Sequence, residues 1–411
     1  MQAVKILKLA MLLLISLRAV GQDMQLLRTA RKVDIPFTYV NRFIVIDVLF
    51  NGSLPLKFIL DTGAENTILT QKEIAQALNL RFQRKISVYG ADMSQELTAY
   101  LISGIRMDLG AQLVLPNRSM LVLEEDYFRF AEIAGISIHG IIGADILRRF
   151  VMQVNYQRQI VTFYDPNYFQ PPREHRATSL PVSFHRHKPY LQLDTRISRA
   201  DSTRSFRFLI DTGASLSLLL HTRADSSLTL PASVLPANIG IGLGGFLQGA
   251  VGRISGLQIA GYSLTQVIAY FQERSDSLDT DITFNRDGLL GNQMLERFIL
   301  TIDYPRERLY MGAGRRINQR FRFDRSGMSL LASGRDLRTF VVMNVIPGSP
   351  ADLAGLKSGD IIQSFNGWGS TWLELGSIVS KLMGQPGKRI HMKVRRDGQL
   401  LSFSFRLQEL I

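Results

Sequence analysis

At 411 residues, with 46% hydrophobic and 20% charged residues, the chain has an ordinary globular composition and is too long for one compact core, which excludes disorder and predicts about two to four domains. No cysteine occurs, so disulfides, thiol catalysis, thiolate metal sites and a lipidated N-terminal cysteine are excluded together. The formal charge of +13 would suit an anionic partner, but the cations are dispersed, and no nucleic-acid partner is expected.

At the N-terminus, Lys5 and Lys8 precede an apolar run at 9–17, followed by Ala19-Val20-Gly21. A basic end, a short apolar stretch and a small-x-small site predict a signal peptide over 1–21 and an exported product, periplasmic or extracellular. The run falls far short of the ~20 residues that span a bilayer, so no stable membrane anchor is expected.

The next region alternates short apolar, β-branched and aromatic runs at 43–49, 57–60, 113–123 and 151–163 with turn signals such as Asn51-Gly52 and Leu109-Gly110. That pattern predicts hairpins of an all-β domain. One good helix is predicted, over 70–78, with Thr70 as its cap, Glu73 three residues on and apolar residues at 74, 75 and 78.

The chain then repeats itself. Phe58-Ile59-Leu60-Asp61-Thr62-Gly63-Ala64 returns as Phe208-Leu209-Ile210-Asp211-Thr212-Gly213-Ala214, an offset of 150 (211 − 61). Gly140-Ile141-Ile142-Gly143 returns as Gly288-Leu289-Leu290-Gly291, an offset of 148 (291 − 143), and Arg149, Phe150, Val154, Asn155, Tyr156 and Arg158 are answered by Arg297, Phe298, Ile302, Asp303, Tyr304 and Arg306. A repeat of this length and order implies two copies of one domain. The copies differ after the motif, where Glu65-Asn66-Thr67-Ile68 faces Ser215-Leu216-Ser217-Leu218 and Asp145 faces Gln293; unequal pockets are expected.

In both copies an aspartate ends an apolar strand, an expensive place for a carboxylate unless donors lie close by. Gly63 and Gly213 let the chain turn so that backbone N–H groups approach, and Thr62 and Thr212 supply hydroxyls that can fix the loops. Two such loops face to face would bring Asp61 and Asp211 close enough to share a proton, making one an acid and the other a base. A single Asp-Thr-Gly is usually only a turn. Two copies, each after a strand and each followed about 80 residues later by an apolar-apolar-Gly segment, are not explained that way.

Residues 37–165 and 185–312 each resemble one lobe of the retropepsin-like branch of the aspartic peptidases. The resemblance implies a mainly β fold of two acid-protease β-barrel lobes packed as a pseudo-dimer, with catalytic Asp61 and Asp211 in active-site loops Thr62-Gly63-Ala64 and Thr212-Gly213-Ala214. It also implies supporting strands passing behind those loops at Gly143 and Gly291, and hairpin flaps around Tyr89 and Gly90 in the first lobe and Gly242 and Gly244 in the second. The implied activity is hydrolysis of peptide bonds in an extended protein or peptide substrate by an activated water, with no cofactor and no metal. The rival is a non-catalytic peptide-binding scaffold on the same fold, which has no need of two buried aspartates.

Three other patterns lack their context. Gly240-Ile241-Gly242-Leu243-Gly244-Gly245 has dinucleotide spacing, but no helix follows and Thr265 and Gln266 stand where an acid is needed. His185 and His187 read as a solvated strand end rather than metal ligands. No Gly-x-Ser-x-Gly elbow occurs.

After Gly312, Arg315, Arg316, Arg320, Arg322 and Arg325 read as a solvated linker. Residues 325–411 then carry Phe340 and the strand after it, Gly348-Ser349-Pro350-Ala351-Asp352-Leu353-Ala354-Gly355-Leu356, Gly359-Asp360-Ile361-Ile362 and Asn366-Gly367. These resemble a PDZ domain, an α+β module that captures a peptide C-terminus by strand addition. The resemblance implies a carboxylate-binding loop at Leu337, Arg338, Thr339 and Phe340, without the usual glycines, and a groove helix at 373–383.

Overall fold

The computed structural model describes residues 30–89, 96–222, 228, 230–242, 245–273 and 286–411. The segment 1–21 that the sequence predicts as a signal peptide, Gly90 and Gly244 lie outside them.

In the first lobe the sheet runs Thr38–Val40, Phe43–Phe50, Leu54–Leu60, Gly140–Ile142, Ile68–Leu69, Leu113–Leu123, Glu96–Leu109, Arg84–Tyr89, and a further pairing of Phe43–Phe50 with Glu96–Leu109 closes it into a barrel. Closure leaves an inside filled by Ile44, Ile46, Phe58, Leu60, Met107 and Val122, all fully buried, the hydrophobic term that holds such a barrel together. The second lobe orders its strands in the same way, with Arg204–Ile210 beside Gly288–Leu290 as Leu54–Leu60 lies beside Gly140–Ile142; both of these pairs are parallel.

A six-stranded sheet joins the lobes, in the order Lys32–Pro36, Ile160–Tyr164, Val151–Asn155, Phe298–Asp303, Arg308–Ala313, Thr178–Pro181. Its central pair is antiparallel with Gln153 opposite Thr301, residues 148 apart (301 − 153), and the Gln153 amide donates to the Thr301 hydroxyl at 3.0 Å. Each strand therefore meets its counterpart as the two halves of an isologous interface would. The lobes pair within one chain.

Three expectations need correcting. The run 151–163 is two strands, Val151–Asn155 and Ile160–Tyr164, around a turn with Gln159 at φ 52°. The helix is Lys72–Ala77 with Gln71 at its N-cap; Thr70 is buried at the end of a barrel strand, its N–H bonded to the His139 carbonyl at 2.9 Å, and is not placed to cap. Of the five linker arginines, Arg325 is not solvated: it is 8% exposed, ion-paired with Glu409 at 2.7 Å, and donates to the carbonyls of Met383 and Gly384. The linker is strapped to the second lobe by Arg297, which caps the carbonyls of Arg316, Ile317 and Gln319 and stacks 3.5 Å over the buried Phe321 ring.

The C-terminal domain has its own core, built on Phe340, Val342, Phe365, Ile378 and Ile390. Its main sheet runs Met328–Ser333, Thr339–Val345, Ile361–Phe365, Arg389–Arg396, Gln399–Arg406. The short helix Pro350–Leu353 starts at Ser349, whose hydroxyl accepts from the Asp352 N–H, with proline in the first turn. The helix Leu375–Leu382 buries Leu375, Ile378 and Leu382 on one face. The domain is anchored to the second lobe by Arg253, which donates to the Ile411 carbonyl at 3.1 Å and pairs with Glu409 at 3.3 Å. It rests on the first lobe through the helix Phe130–Ala134, which packs on Met328–Ser333. No described helix is long and apolar enough to cross a membrane.

Candidate active site

Each aspartate directly follows a strand whose last three residues are almost wholly buried, Phe58-Ile59-Leu60 and Phe208-Leu209-Ile210. The parallel neighbour holds the chain at that point: the N–H of Asp61 donates to the Ile142 carbonyl at 3.0 Å and that of Asp211 to the Leu290 carbonyl at 2.9 Å. Beyond it the loop turns back. Oδ1 of Asp61 accepts from the N–H groups of Gly63 (2.7 Å) and Ala64 (3.1 Å), and Oδ1 of Asp211 from that of Gly213 (2.9 Å). These bonds offset part of the cost of burying the carboxylates.

The loops are locked together by their threonines, both fully buried. The Thr62 hydroxyl donates to the Ile210 carbonyl at 2.6 Å and accepts from the Thr212 N–H at 3.1 Å. The Thr212 hydroxyl donates to the Leu60 carbonyl at 2.8 Å and accepts from the Thr62 N–H at 3.0 Å. Every donor and acceptor in this lattice crosses between lobes, so neither loop is satisfied alone.

Why glycine is needed follows from the distances. A Cβ on Gly213 would sit 2.2 Å from Cγ of Asp61, and one on Gly63 would sit 2.6 Å from Cγ of Asp211. Each carboxylate therefore lies on the glycine of the opposite loop, close enough for the two carboxyl groups to interact directly. Behind the loops, a Cβ on Gly143 would meet the Asn66 carbonyl at 2.5 Å and one on Gly291 the Leu216 oxygen at 2.4 Å. The support is backbone against backbone, with Ala144 N–H to the Ala64 carbonyl at 2.8 Å and Asn292 N–H to the Ala214 carbonyl at 2.7 Å.

Burial pushes the Asp61 carboxyl well above the ordinary carboxylate range, and the charge of Asp211 pushes it further. Burial also raises Asp211, but the Arg286 guanidinium pulls against it. The two carboxyls therefore titrate as one coupled pair, with Arg286 acting against the rise at Asp211.

Sequence reading missed three contributors. Asn292, fully buried, accepts from the Tyr156 hydroxyl at 2.7 Å and donates to the carbonyls of Arg42 (2.7 Å) and Thr212 (2.6 Å). Its signal was available: it stands where the first copy has Ala144, and a buried amide needs partners. Arg286 beside Asp211 has no charged counterpart upstream, since Ile138 occupies the matching position. Arg186 reaches across to Glu65 at 2.8 Å from a hairpin turn in which Arg186 and His187 both have positive φ. With His185 opposite Lys188 in that hairpin, the two histidines do not share a strand face.

Of the flap residues, Tyr89 ends the strand Arg84–Tyr89, paired with Glu96–Leu109, and Gly242 ends Val234–Gly242, paired with Gly245–Ile254. The C-terminal loop is a correction. Thr339 and Phe340 pair with Ser333 and Ala332 in a hairpin, Phe340 also pairs with Ile362, Leu337 is the turn residue with φ 55°, and Arg338 donates to the Leu373 carbonyl. Thr339 and Phe340 lie in the sheet, and the N–H groups of Leu337 and Arg338 are held by the Gly334 carbonyl and the Asp336 carboxylate. Met328–Ser333, one hairpin earlier, is an edge strand of the sheet, and the helix Phe130–Ala134 packs on it.

Comparison with known proteins agrees with this architecture. Residues 46–149 match the gag-polyprotein putative aspartyl protease family, residues 199–294 the aspartyl protease family and residues 341–396 the PDZ domain family. The chain is thus a pair of retropepsin-like aspartyl protease lobes followed by a PDZ domain, a composition that supports a peptidase. Among curated proteins it is 35% identical over 68 residues to the carboxy-terminal processing protease CtpB of Bacillus subtilis, covering 16% of this chain and 14% of that one. It is 39% identical over 75 residues to a probable periplasmic serine endoprotease, DegP-like, of Hahella chejuensis, covering 18% and 15%. The chain therefore spans only about one seventh of the length of these relatives. Among solved structures, an aspartic proteinase from Irpex lacteus aligns over 71% of this chain and 99% of its own at 14% identity with a TM-score of 0.42. Soybean basic 7S globulin aligns over 70% and 96% at 10% identity with a TM-score of 0.41.

Proposed function

We propose that the protein is an exported aspartic endopeptidase in which Asp61 and Asp211 activate a water against peptide bonds of an extended substrate. The observation that carries this reading is the mutual seating of the two carboxylates, each on the glycine of the other loop. Asp211, ionised, takes a proton from the water as its oxygen attacks the scissile carbonyl carbon. Asp61 gives its proton to the carbonyl oxygen. Collapse of the tetrahedral intermediate then breaks the C–N bond, with the proton held by Asp211 passing to the leaving nitrogen and a hydroxyl proton of the intermediate returning to Asp61. The lobes at 37–165 and 185–312 carry the chemistry, and the PDZ domain at 325–411 engages peptide.

This mechanism requires the singly protonated pair, so kcat/KM on an extended peptide should be bell-shaped in pH. The acid limb marks loss of the first proton from the pair and the alkaline limb loss of the second. Burial and mutual repulsion raise the second step, so the alkaline limb should lie well above the ordinary carboxylate pKa of ~4. Activity still climbing at pH 9 would assign the base to another group.

A further inference from the structure

Where the two lobes, the linker and the C-terminal domain meet, they line a cavity of about 680 Å³, within the range of small-molecule sites. The edge strand Met328–Ser333 forms one wall, but the helix Phe130–Ala134 packs on it. Gly135, after that helix, lies so close to Leu375 that a Cβ would come within 2.8 Å. An entrant therefore meets side chains rather than an open row of backbone groups. One side is apolar, with Ile133, Leu330, Leu375, Val379 and Leu382. The other carries Arg42, Arg297, Arg316, Arg320 and Arg322 against two acids, Glu296 and Asp324, a surplus of three cations. Both acids are already engaged, Glu296 by Arg316 at 2.7 Å and the Tyr39 hydroxyl at 2.9 Å, Asp324 by the N–H groups of Ser326 at 2.9 Å and Gly327 at 2.6 Å.

Arg316 and Arg320 are held in ion pairs and Arg297 by carbonyls, which leaves Arg322, exposed, and Arg42, half-buried. Among the described residues the Arg42 guanidinium pairs with no carboxylate and donates to the Met383 sulfur at 3.7 Å, a weak acceptor for a group with five N–H donors. Arg42 stands in the two-residue turn between Thr38–Val40 and Phe43–Phe50, with φ 44° at Asn41 and 65° at Arg42. Glycine is the usual residue at the second position of such a turn, so arginine there keeps a side chain at the expense of backbone strain. The turn is fixed on both sides: the Asn41 amide donates to the Ile133 carbonyl at 2.8 Å, and the Arg42 carbonyl accepts from Asn292 at 2.7 Å. We infer that this cavity binds a single-chain amphiphile with an anionic head, the head on Arg42 and the chain along the apolar side. A planar guanidinium suits carboxylate and phosphate alike, and a turn already in place spares the ligand the cost of ordering it.

The test titrates the full chain at pH 7.5 with a dansyl-labelled undecanoic acid and with its amide, read from dansyl emission. Binding is the readout, so the result does not depend on the dyad. The acid should bind at least about tenfold more tightly than the amide, the difference that a charge-assisted contact makes. Arg42→Gly suits the turn and keeps the carbonyl that Asn292 holds, so this variant should melt no lower than the parent. It should bind the acid at least about tenfold more weakly, and the amide within about threefold of the parent. Arg42→Gln should lose the acid to the same extent, and it decides alone should the glycine variant fail to fold by circular dichroism. Decanoate and monodecyl phosphate, added as competitors, tell which head is preferred, and displacement of the probe by either supports the site. Displacement by neither overturns the inference, as does an acid-to-amide ratio within about threefold in the parent or undiminished binding of the acid by a folded Arg42 variant.

Discussion

Asp61→Asn and Asp211→Asn should each lower turnover of an extended peptide by at least about a thousandfold while the chain stays folded, because each carboxylate has a role the other cannot assume. An amide at position 61 has no proton to give to the carbonyl oxygen at useful strength, and one at 211 cannot take a proton from water. The same substitution has a thermodynamic sign. The folded pKa of Asp61 is raised, so its contribution to stability is fully present below the unfolded carboxylate value of ~4 and is lost as pH rises through the folded value. Asp61→Asn should therefore melt at a higher temperature than the parent at neutral pH, with the advantage vanishing in acid. A single-turnover assay and paired thermal melts at two pH values measure both effects. Retention of more than a tenth of the activity by either variant would remove the dyad from the mechanism.

The second large effect is expected at the threonine lattice. Thr62→Val keeps the shape of the side chain but strands the Ile210 carbonyl and the Thr212 N–H in a site with no solvent access. Two buried groups left without partners cost about 2–5 kcal/mol together, enough to threaten a fold whose net stability is of order 5–15 kcal/mol. Activity should fall with it, since the lattice sets the distance between the loops. Thr62→Ser, which restores the hydroxyl, should recover most of both. Denaturant melts of the three proteins measure the cost, and a valine variant within about half a kcal/mol of the parent would mean the lattice contributes little beyond packing.

How far these features could be read beforehand depended on whether they were local. Asp-Thr-Gly-Ala after an apolar triplet announces a buried carboxylate in a tight loop because strand end, glycine and hydroxyl are neighbours in sequence. Gly143 and Gly291 were legible for the related reason that each ends its own apolar run. The crossing of Thr62 to Ile210 and of Thr212 to Leu60 was not, since nothing near residue 62 encodes which backbone 148 positions away it will meet. Arg286 escaped notice because a lone arginine before Asp287 carries no pattern. Phe340 and its neighbours were expected in a binding loop but form an interior strand, because apolarity marks the centre of a sheet rather than its edge. Thr70 looked like a cap because local chemistry favours it there, and the barrel had a prior use for that residue.

The register of the joining sheet governs how the protein behaves on dilution. In an assembly of two separate half-sites the working species is a product of concentrations, and it disappears once the solution is thinner than the dissociation constant. Here Val151–Asn155 and Phe298–Asp303 belong to one covalent chain and are hydrogen-bonded along their length, so each half-site sees the other at an effective concentration fixed by the fold. Under the proposed function, activity per molecule should therefore be the same at high and at low protein concentration, with no assembly threshold before turnover.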